Sequence, residues 1–344
     1  MQALSIIVYL LVAVVVVYTS IKLSDYVDLL DKKTNLSGAL LGGILLAAVT
    51  SLPEFFTSLT STVFIGENAL VIGNILGSNL SNIMIYGLTF IIFYKKMIEA
   101  KVSKFHLISL LFIALGYIAT TIASYVFEFN QILLGWFNPA SFLILIIYAI
   151  SIWKTPKVEE DDGEEEDSST LSIKQIIVRF ILFAVILIGA SIGITYCADW
   201  VCNEFNMAAS FGGALFLGVA TSLPELTSTI NLCRKKNFDA AFGNLFGSCV
   251  FNFFILSIAD LLSFRSIDNA HKLYYLDQSS FICLLAGAFI VLLAFISILI
   301  LIKKGAKDKV GYRIFFYAVS ILSVGLYIAF LVLSNIPMDI PFIV

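Results

Sequence analysis

The sequence predicts an all-α polytopic membrane protein, with ten transmembrane helices arranged as two inverted five-helix repeats and with helices two and seven broken. Three observations carry this expectation. The 344 residues are 60% hydrophobic and only 13% charged, outside the range of soluble domains, and apolar runs of spanning length recur from end to end. Basic residues alternate between the connections of those runs. Finally, one polar motif occurs twice, about half a chain apart.

The first run, 3–21, has no basic residue ahead of it and continues into Lys22, so it is expected to be a retained span and not a cleaved signal peptide. The second and third, 38–63 and 69–93, carry the first copy of the motif. The fourth and fifth, 105–126 and 132–153, are joined by a connection near Glu128 to Asn138 that is itself apolar. These five spans make the first repeat, 1–153, with its motif region at 42–82. A hydrophilic segment, 154–172, follows; its acidic run from Glu159 to Asp167 reads as a solvated cytoplasmic linker. A cation-sensing tail is the sharper alternative, although the spacing does not fit an EF-hand loop. The second repeat, 173–344, contains spans 173–197, 208–233, 239–262, 276–302 and 312–335, with its motif region at 213–252.

Orientation follows from the basic residues. Connections 1–2, 3–4, 5–6, 7–8 and 9–10 hold 19 of the 21 lysines and arginines; only Arg265 and Lys272 fall on the other side. Cytoplasmic loops collect basic residues, so both termini are expected outside and the linker inside the cell. Five spans per half bring the chain back into the membrane from the opposite side, which inverts the second half relative to the first.

The motif is Leu-Ala-Ala-Val-Thr-Ser-Leu-Pro-Glu from Leu46 to Glu54, then Gly-Asn-Ile-Leu-Gly-Ser-Asn from Gly73 to Asn79. Its second copy is Leu-Gly-Val-Ala-Thr-Ser-Leu-Pro-Glu from Leu217 to Glu225, then Gly-Asn-Leu-Phe-Gly-Ser-Cys from Gly243 to Cys249. Pro53 and Pro224 lack an amide hydrogen, so the carbonyls of Val49 and Ala220 lose their partners and a kink is expected at each. A free carbonyl in hydrocarbon costs several kcal/mol, roughly, unless something satisfies it, and a cation can. Glu54 and Glu225 follow these breaks directly and are the only carboxylates in the middle of any span. Each costs about 2.5–3.5 kcal/mol to insert. Thr50, Ser51, Thr221 and Ser222 add hydroxyls at the same depth. Along the third and eighth spans, Asn74, Ser78 and Asn82, and then Asn244, Ser248 and Asn252, recur every four residues on one helix face. Beside them Gly73 and Gly77, and Gly243 and Gly247, permit close helix approach. Proline, G-x-x-x-G or asparagine taken singly in a membrane helix is more often packing than function. Their joint recurrence in two inverted halves instead predicts one oxygen-lined cation site shared by both, and two carboxylates balance one divalent ion.

At these residues the chain resembles the calcium/cation antiporter superfamily, and within it the sodium/calcium exchanger group, whose two alpha repeats these motifs match. The resemblance covers all ten spans in arrangement and about a quarter of the chain in motif. It implies a secondary antiporter that exchanges sodium for calcium by alternating access. It implies that calcium is held by Glu54 and Glu225 with the carbonyls of Thr50 and Thr221. Flanking sodium sites would use Ser51, Ser78, Ser222 and Ser248 with the carbonyls of Ala47 and Gly218. Asn82 and Asn252 would border the centre, and the first and sixth spans would slide across the core. The implied partners are calcium and sodium ions and membrane lipid, with no nucleic acid and no resident cofactor. One chain would suffice for transport, and the cell membrane is the expected location. Two departures bear on the co-ion. Potassium-dependent members carry Asp where Asn252 stands. Proton-coupled members place Glu near the positions of Gly77 and Gly247. Cys249 stands where the first copy has Asn79.

Other functions fit the residues less well. A channel generally builds its pore from several chains, whereas the two copies here can pair within one. An intramembrane protease would use paired aspartates as acid and base, and glutamates beside proline breaks and hydroxyls suit binding better, so no enzymatic activity is expected. No His or Cys cluster has the spacing of a zinc or copper site. Cys197 and Cys202 fall in or near the outer connection 6–7, where a disulfide and free thiols are both open readings.

Overall fold

The computed structural model describes residues 2–34, 46–100, 102–125, 138–154, 171–263, 273–274, 276–303 and 310–333. The acidic run, the first residues of the 42–82 motif region, most of the connection near Glu128 to Asn138, and Arg265 and Lys272 lie outside them. Among the described residues the chain is all helical. The helices are α1 (Gln2–Thr34), α2 (Leu46–Thr50), α3 (Leu52–Thr60), α4 (Asn68–Met97), α5 (Phe105–Tyr125), α6 (Pro139–Lys154), α7 (Ile173–Phe205), α8 (Ala209–Gly212), α9 (Gly218–Arg234), α10 (Phe238–Leu262), α11 (Gln278–Ile302) and α12 (Val310–Leu333). A π turn at Ser61–Ile65 follows α3, and another at Gly213–Leu217 joins α8 to α9. Among the described residues, eight helical segments are long and apolar enough to cross a membrane, counting α8 to α9 as one, and Pro139–Trp153 is a shorter apolar helix. The chain is therefore a multi-pass integral membrane protein.

Two helices differ from expectation in length. α1 and α7 each run for 33 residues, about 50 Å at 1.5 Å per residue, well beyond the apolar runs 3–21 and 173–197. Helical hydrogen bonding continues past the point where the side chains turn polar, and Lys22 and Asp25 pair at 3.0 Å on the helix surface three residues apart. Cys197 and Cys202 consequently sit on the helix α7 and not in a connection, and both thiols are free and buried. α7 starts cleanly with a capping box: Ser172 Oγ accepts from Gln175 N at 3.3 Å, and Gln175 Oε1 accepts from Ser172 N at 2.9 Å.

The proline breaks also differ from expectation. In the first copy the helix is interrupted at Ser51 (φ −92°, ψ 10°), and α3 restarts with Pro53 in its first turn, where a missing N–H costs least. In the second copy α9 runs unbroken through Pro224, and its irregularity is the π turn just upstream.

α4 forms the centre and packs against α9, α10, α11 and α12. Of its most apolar stretch, 78% is buried inside the protein, against 17% for α7. An aromatic cluster fills one end of this core. Tyr86 meets Phe90, Phe242 and Phe246 at centroid distances of 5.0–5.1 Å, and its hydroxyl bonds Ser297 Oγ at 2.7 Å. α1 and α7 lie along each other at the periphery. Val16, Leu23, Leu187 and Ile194 belong to their shared buried cluster, while Leu11, Val14, Val178 and Val185 face outward. The bundle thus encloses α2–α4 and α8–α10, the segments that carry the repeated motif.

Candidate ion-binding site

The interruption at Ser51 and the start of α3 set Glu54 in the interior, and α9 sets Glu225 there; both are fully buried. Around them the two halves interlock. Ser51 Oγ, from the first half, donates to Glu225 Oε1 at 3.3 Å, and Ser248 Oγ donates to the same oxygen at 3.3 Å. Thr50 Oγ1 stands 3.5 Å from Ser248 Oγ, and Ser78 Oγ stands 3.3 Å from Thr221 Oγ1. These two contacts are equivalents: in each, a motif threonine of one half meets the Gly-Ser serine of the other. Thr50 Oγ1 also donates to Ala47 O at 3.1 Å, and Ser78 Oγ to Gly218 O at 3.4 Å.

The surroundings of the carboxylates are unequal. Among the described residues neither oxygen of Glu54 accepts a hydrogen bond, nor does Glu225 Oε2, and Ser222 Oγ has no partner. Ser78 and Thr221 stand beside Glu54, and their hydroxyls also lie within reach of the carbonyls of Gly218, at 3.4 Å, and Leu217, at 2.9 Å. Unmatched carboxylate oxygens in a membrane interior are costly, and a cation satisfies several at once. The donor set is all oxygen, which suits hard cations such as calcium or sodium. Asn82 and Asn252 are fully buried nearby on α4 and α10. Asn252 Nδ2 donates to Asn79 Oδ1 at 2.9 Å, and both amide atoms of Asn82 are without partners among the described residues.

Of the residues singled out from the sequence, Ala47, Thr50, Ser51, Glu225 and Ser248 are joined by these contacts, as are Ser78, Gly218 and Thr221 beside Glu54, whereas Ser222, Asn82 and Asn252 are buried without a bond to either carboxylate among the described residues. Two more take part. Asn74 Nδ2 donates to Thr57 Oγ1 at 2.9 Å and Ser58 Oγ at 3.1 Å, and reaches Glu54 O at 3.4 Å. Its counterpart Asn244 donates to Ser228 Oγ at 2.8 Å and faces Thr50 Oγ1 at 3.4 Å. The signal was the Gly-Asn pair that opens both copies, four residues before the serine. These amides fix the turn of helix that follows each glutamate. Asn74→Ala takes away the donor to Ser58 Oγ and to Thr57 Oγ1, which keeps its own bonds to Pro53 O and Glu54 O; a loss of about 1–3 kcal/mol is expected, with calcium affinity falling about tenfold as Glu54 loosens. Thermal melting and a calcium titration of the purified variant check both.

Four similarities to known proteins bear on this arrangement. The chain is 25% identical over 268 residues to the inner membrane protein YrbG of Escherichia coli K12, covering 74% of this chain and 78% of that one. Its fold is similar to the crystal structure of the H+/Ca2+ exchanger CAX (TM-score 0.67, 17% identity, 96% of this chain and 90% of that one). It is also similar to the sodium-calcium exchanger NCX_Mj (TM-score 0.55, 20% identity, 98% and 100%). The sodium/calcium exchanger protein family matches residues 4–154 and 175–335, two stretches that divide at the acidic segment and each contain one buried glutamate. With nearly the whole chain matched and the paired motifs meeting in its interior, this protein belongs to the sodium/calcium exchanger family of cation antiporters.

Proposed function

We propose that this protein exchanges sodium for calcium across the cell membrane at the Glu54–Glu225 site. The observation that carries this reading is the pair of fully buried carboxylates ringed by hydroxyls from both halves. One calcium, held by Glu54, Glu225 and the carbonyls of Thr50 and Thr221, balances two negative charges. Sodium ions at Ser51, Ser78, Ser222 and Ser248, with the carbonyls of Ala47 and Gly218, neutralise the same carboxylates. Because the two cations draw on one set of charges, each displaces the other, and only a neutralised site crosses cheaply between the two faces. Asn82 and Asn252 border the centre.

In this reading ten spans form two inverted halves, 1–153 and 173–344, with the termini outside and the acidic segment in the cytoplasm. The equal lengths of α1 and α7, whose bounds are offset by the same 171 residues as the TSLPE motifs, support the repeat. Their largely lipid-exposed surfaces support a sliding role for the pair. Sodium-gradient-driven calcium-45 uptake into proteoliposomes tests the function: uptake that collapses when the sodium gradient is removed is expected, and correctly folded protein without such uptake would sink the proposal. Proton coupling is the second reading, favoured by the unpartnered Glu54 carboxylate, which could carry a proton in place of sodium. Calcium uptake driven by a pH gradient in the absence of sodium would establish it.

A further inference from the structure

α1 and α7 hold corresponding places in the two halves, with bounds offset by 171 residues, and that register makes Phe180 the counterpart of Tyr9. The two side chains differ by one hydroxyl, and α1 uses it. Tyr9 is buried. Its hydroxyl donates to Phe216 O at 2.7 Å, and its ring meets that of Phe216 edge-on, with centroids 5.2 Å apart. Phe216 lies in the π turn ahead of α9, where Gly218 N reaches back five residues to Gly213 O. Three successive carbonyls there have a hydroxyl within reach: Tyr9 of α1 at Phe216, Thr221 of α9 at Leu217, and Ser78 of α4 at Gly218. Thr221, Ser78 and Gly218 belong to the proposed ion site, so Tyr9 joins a peripheral helix to the backbone that bears that site.

The turn is not free to follow α1. A Cβ built on Gly213 would lie 2.4 Å from Leu70 O, and one built on Gly218 would lie 2.9 Å from Ser78 N, so the turn rests backbone to backbone on α4. α1 is the looser partner, with only 33% of its most apolar stretch buried. A slide of α1 by the rise of two residues, about 3 Å, takes a bond of 2.7 Å beyond hydrogen-bond distance. We propose that Tyr9 is a one-sided latch, a positioning residue that ties α1 to the π turn in this conformation and releases it when α1 slides. Phe180 offers no such hydroxyl, so the two states of the transport cycle are held unequally. This inference rests on the reading of the protein as an alternating-access exchanger in which α1 moves. A single net hydrogen bond shifts such an equilibrium about two- to tenfold. Each face binds calcium only through the state open to it, so the ratio of half-saturating calcium concentrations at the two faces reports the equilibrium.

The test is calcium-45 exchange by the full chain in right-side-out and in everted membrane vesicles, with calcium titrated on the outside of each. Tyr9→Phe removes one oxygen and keeps the ring against Phe216. It should change the ratio between the two faces about two- to tenfold. A merely structural role would raise both half-saturating concentrations together and leave the ratio as it is. Phe216→Leu, which removes the ring contact and keeps the carbonyl, should hold the wild-type ratio. An unchanged ratio in Tyr9→Phe, or an equal change in Phe216→Leu, overturns the latch and leaves the exchanger reading standing. Wild-type vesicles that exchange no calcium would overturn both.

Discussion

Glu54→Gln and Glu225→Gln should each lower calcium affinity at least a hundredfold, about 3 kcal/mol, and together they should abolish sodium-driven calcium uptake. Each replaces a formal charge by a neutral amide in a site where calcium affinity is set by ligand charge. The two should differ in the cation-free protein. Glu225 Oε1 accepts from Ser51 and Ser248, and a Gln carbonyl can keep both bonds. Neither oxygen of Glu54 accepts a hydrogen bond among the described residues, although the hydroxyls of Ser78 and Thr221 stand beside it, so its negative charge is less well supported than that of Glu225. Removing an uncompensated buried charge relieves desolvation and repulsion. Glu54→Gln should therefore raise the melting temperature of the protein in chelator, and by more than Glu225→Gln does. Adding calcium should reverse the order, with wild type gaining most because ligand binding stabilises only the state that binds it. Equal calcium protection of wild type and both variants would remove these residues from the site.

What the sequence made legible is tied to what hydrocarbon forbids. A carboxylate beside a proline is conspicuous in an apolar run, and seeing it twice at one spacing needed no structure. Helix ends were less legible. Hydropathy stops at residue 21 because charge begins at Lys22, but α1 continues to Thr34: apolarity measures membrane thickness, and backbone hydrogen bonding sets helix length. The same confusion put Cys197 and Cys202 in or near a connection, whereas both lie on α7. Proline was read as a break in both copies, yet position within a helix decides its effect. Pro53 sits in a first turn, after an interruption at Ser51, whereas Pro224 lies inside a continuous α9. Asn74 and Asn244 were visible as parts of a polar stripe. That their amides hold Thr57, Ser58 and Ser228 depends on helix rotation, which periodicity leaves open to within a residue or so. The inequality between Glu54 and Glu225 was not legible either, because the two motifs are identical at those five residues and the difference arises from surrounding backbone.

Gly77→Ala should be among the most damaging single-methyl changes in the chain. α4 crosses the π turn ahead of α9 so closely that a Cβ built on Gly77 would lie 2.5 Å from Ala214 Cα and 2.7 Å from Ala214 O. One built on Gly73 would lie 2.0 Å from Ser210 O. These obstacles are backbone atoms, so no side-chain rotation makes room; the helices must separate. Overpacking of a tight core costs about 1–3 kcal/mol where side chains can adjust, and a backbone clash belongs at or above the top of that range. The gap would also open at the site. Ser78 follows Gly77 and holds Gly218 O and Thr221 Oγ1 at 3.4 and 3.3 Å, and moving α4 outward by even 1 Å takes both beyond hydrogen-bond distance. Gly77→Ala should therefore lose stability and calcium affinity together. Gly189→Ala, on α7 with nothing within 4 Å of the added carbon, should cost neither, and should gain slightly from the better helix propensity of alanine. Melting curves and calcium titrations on the two variants separate the cases. If Gly77→Ala melts with wild type, the close crossing of α4 over the π turn is not what holds the halves in register.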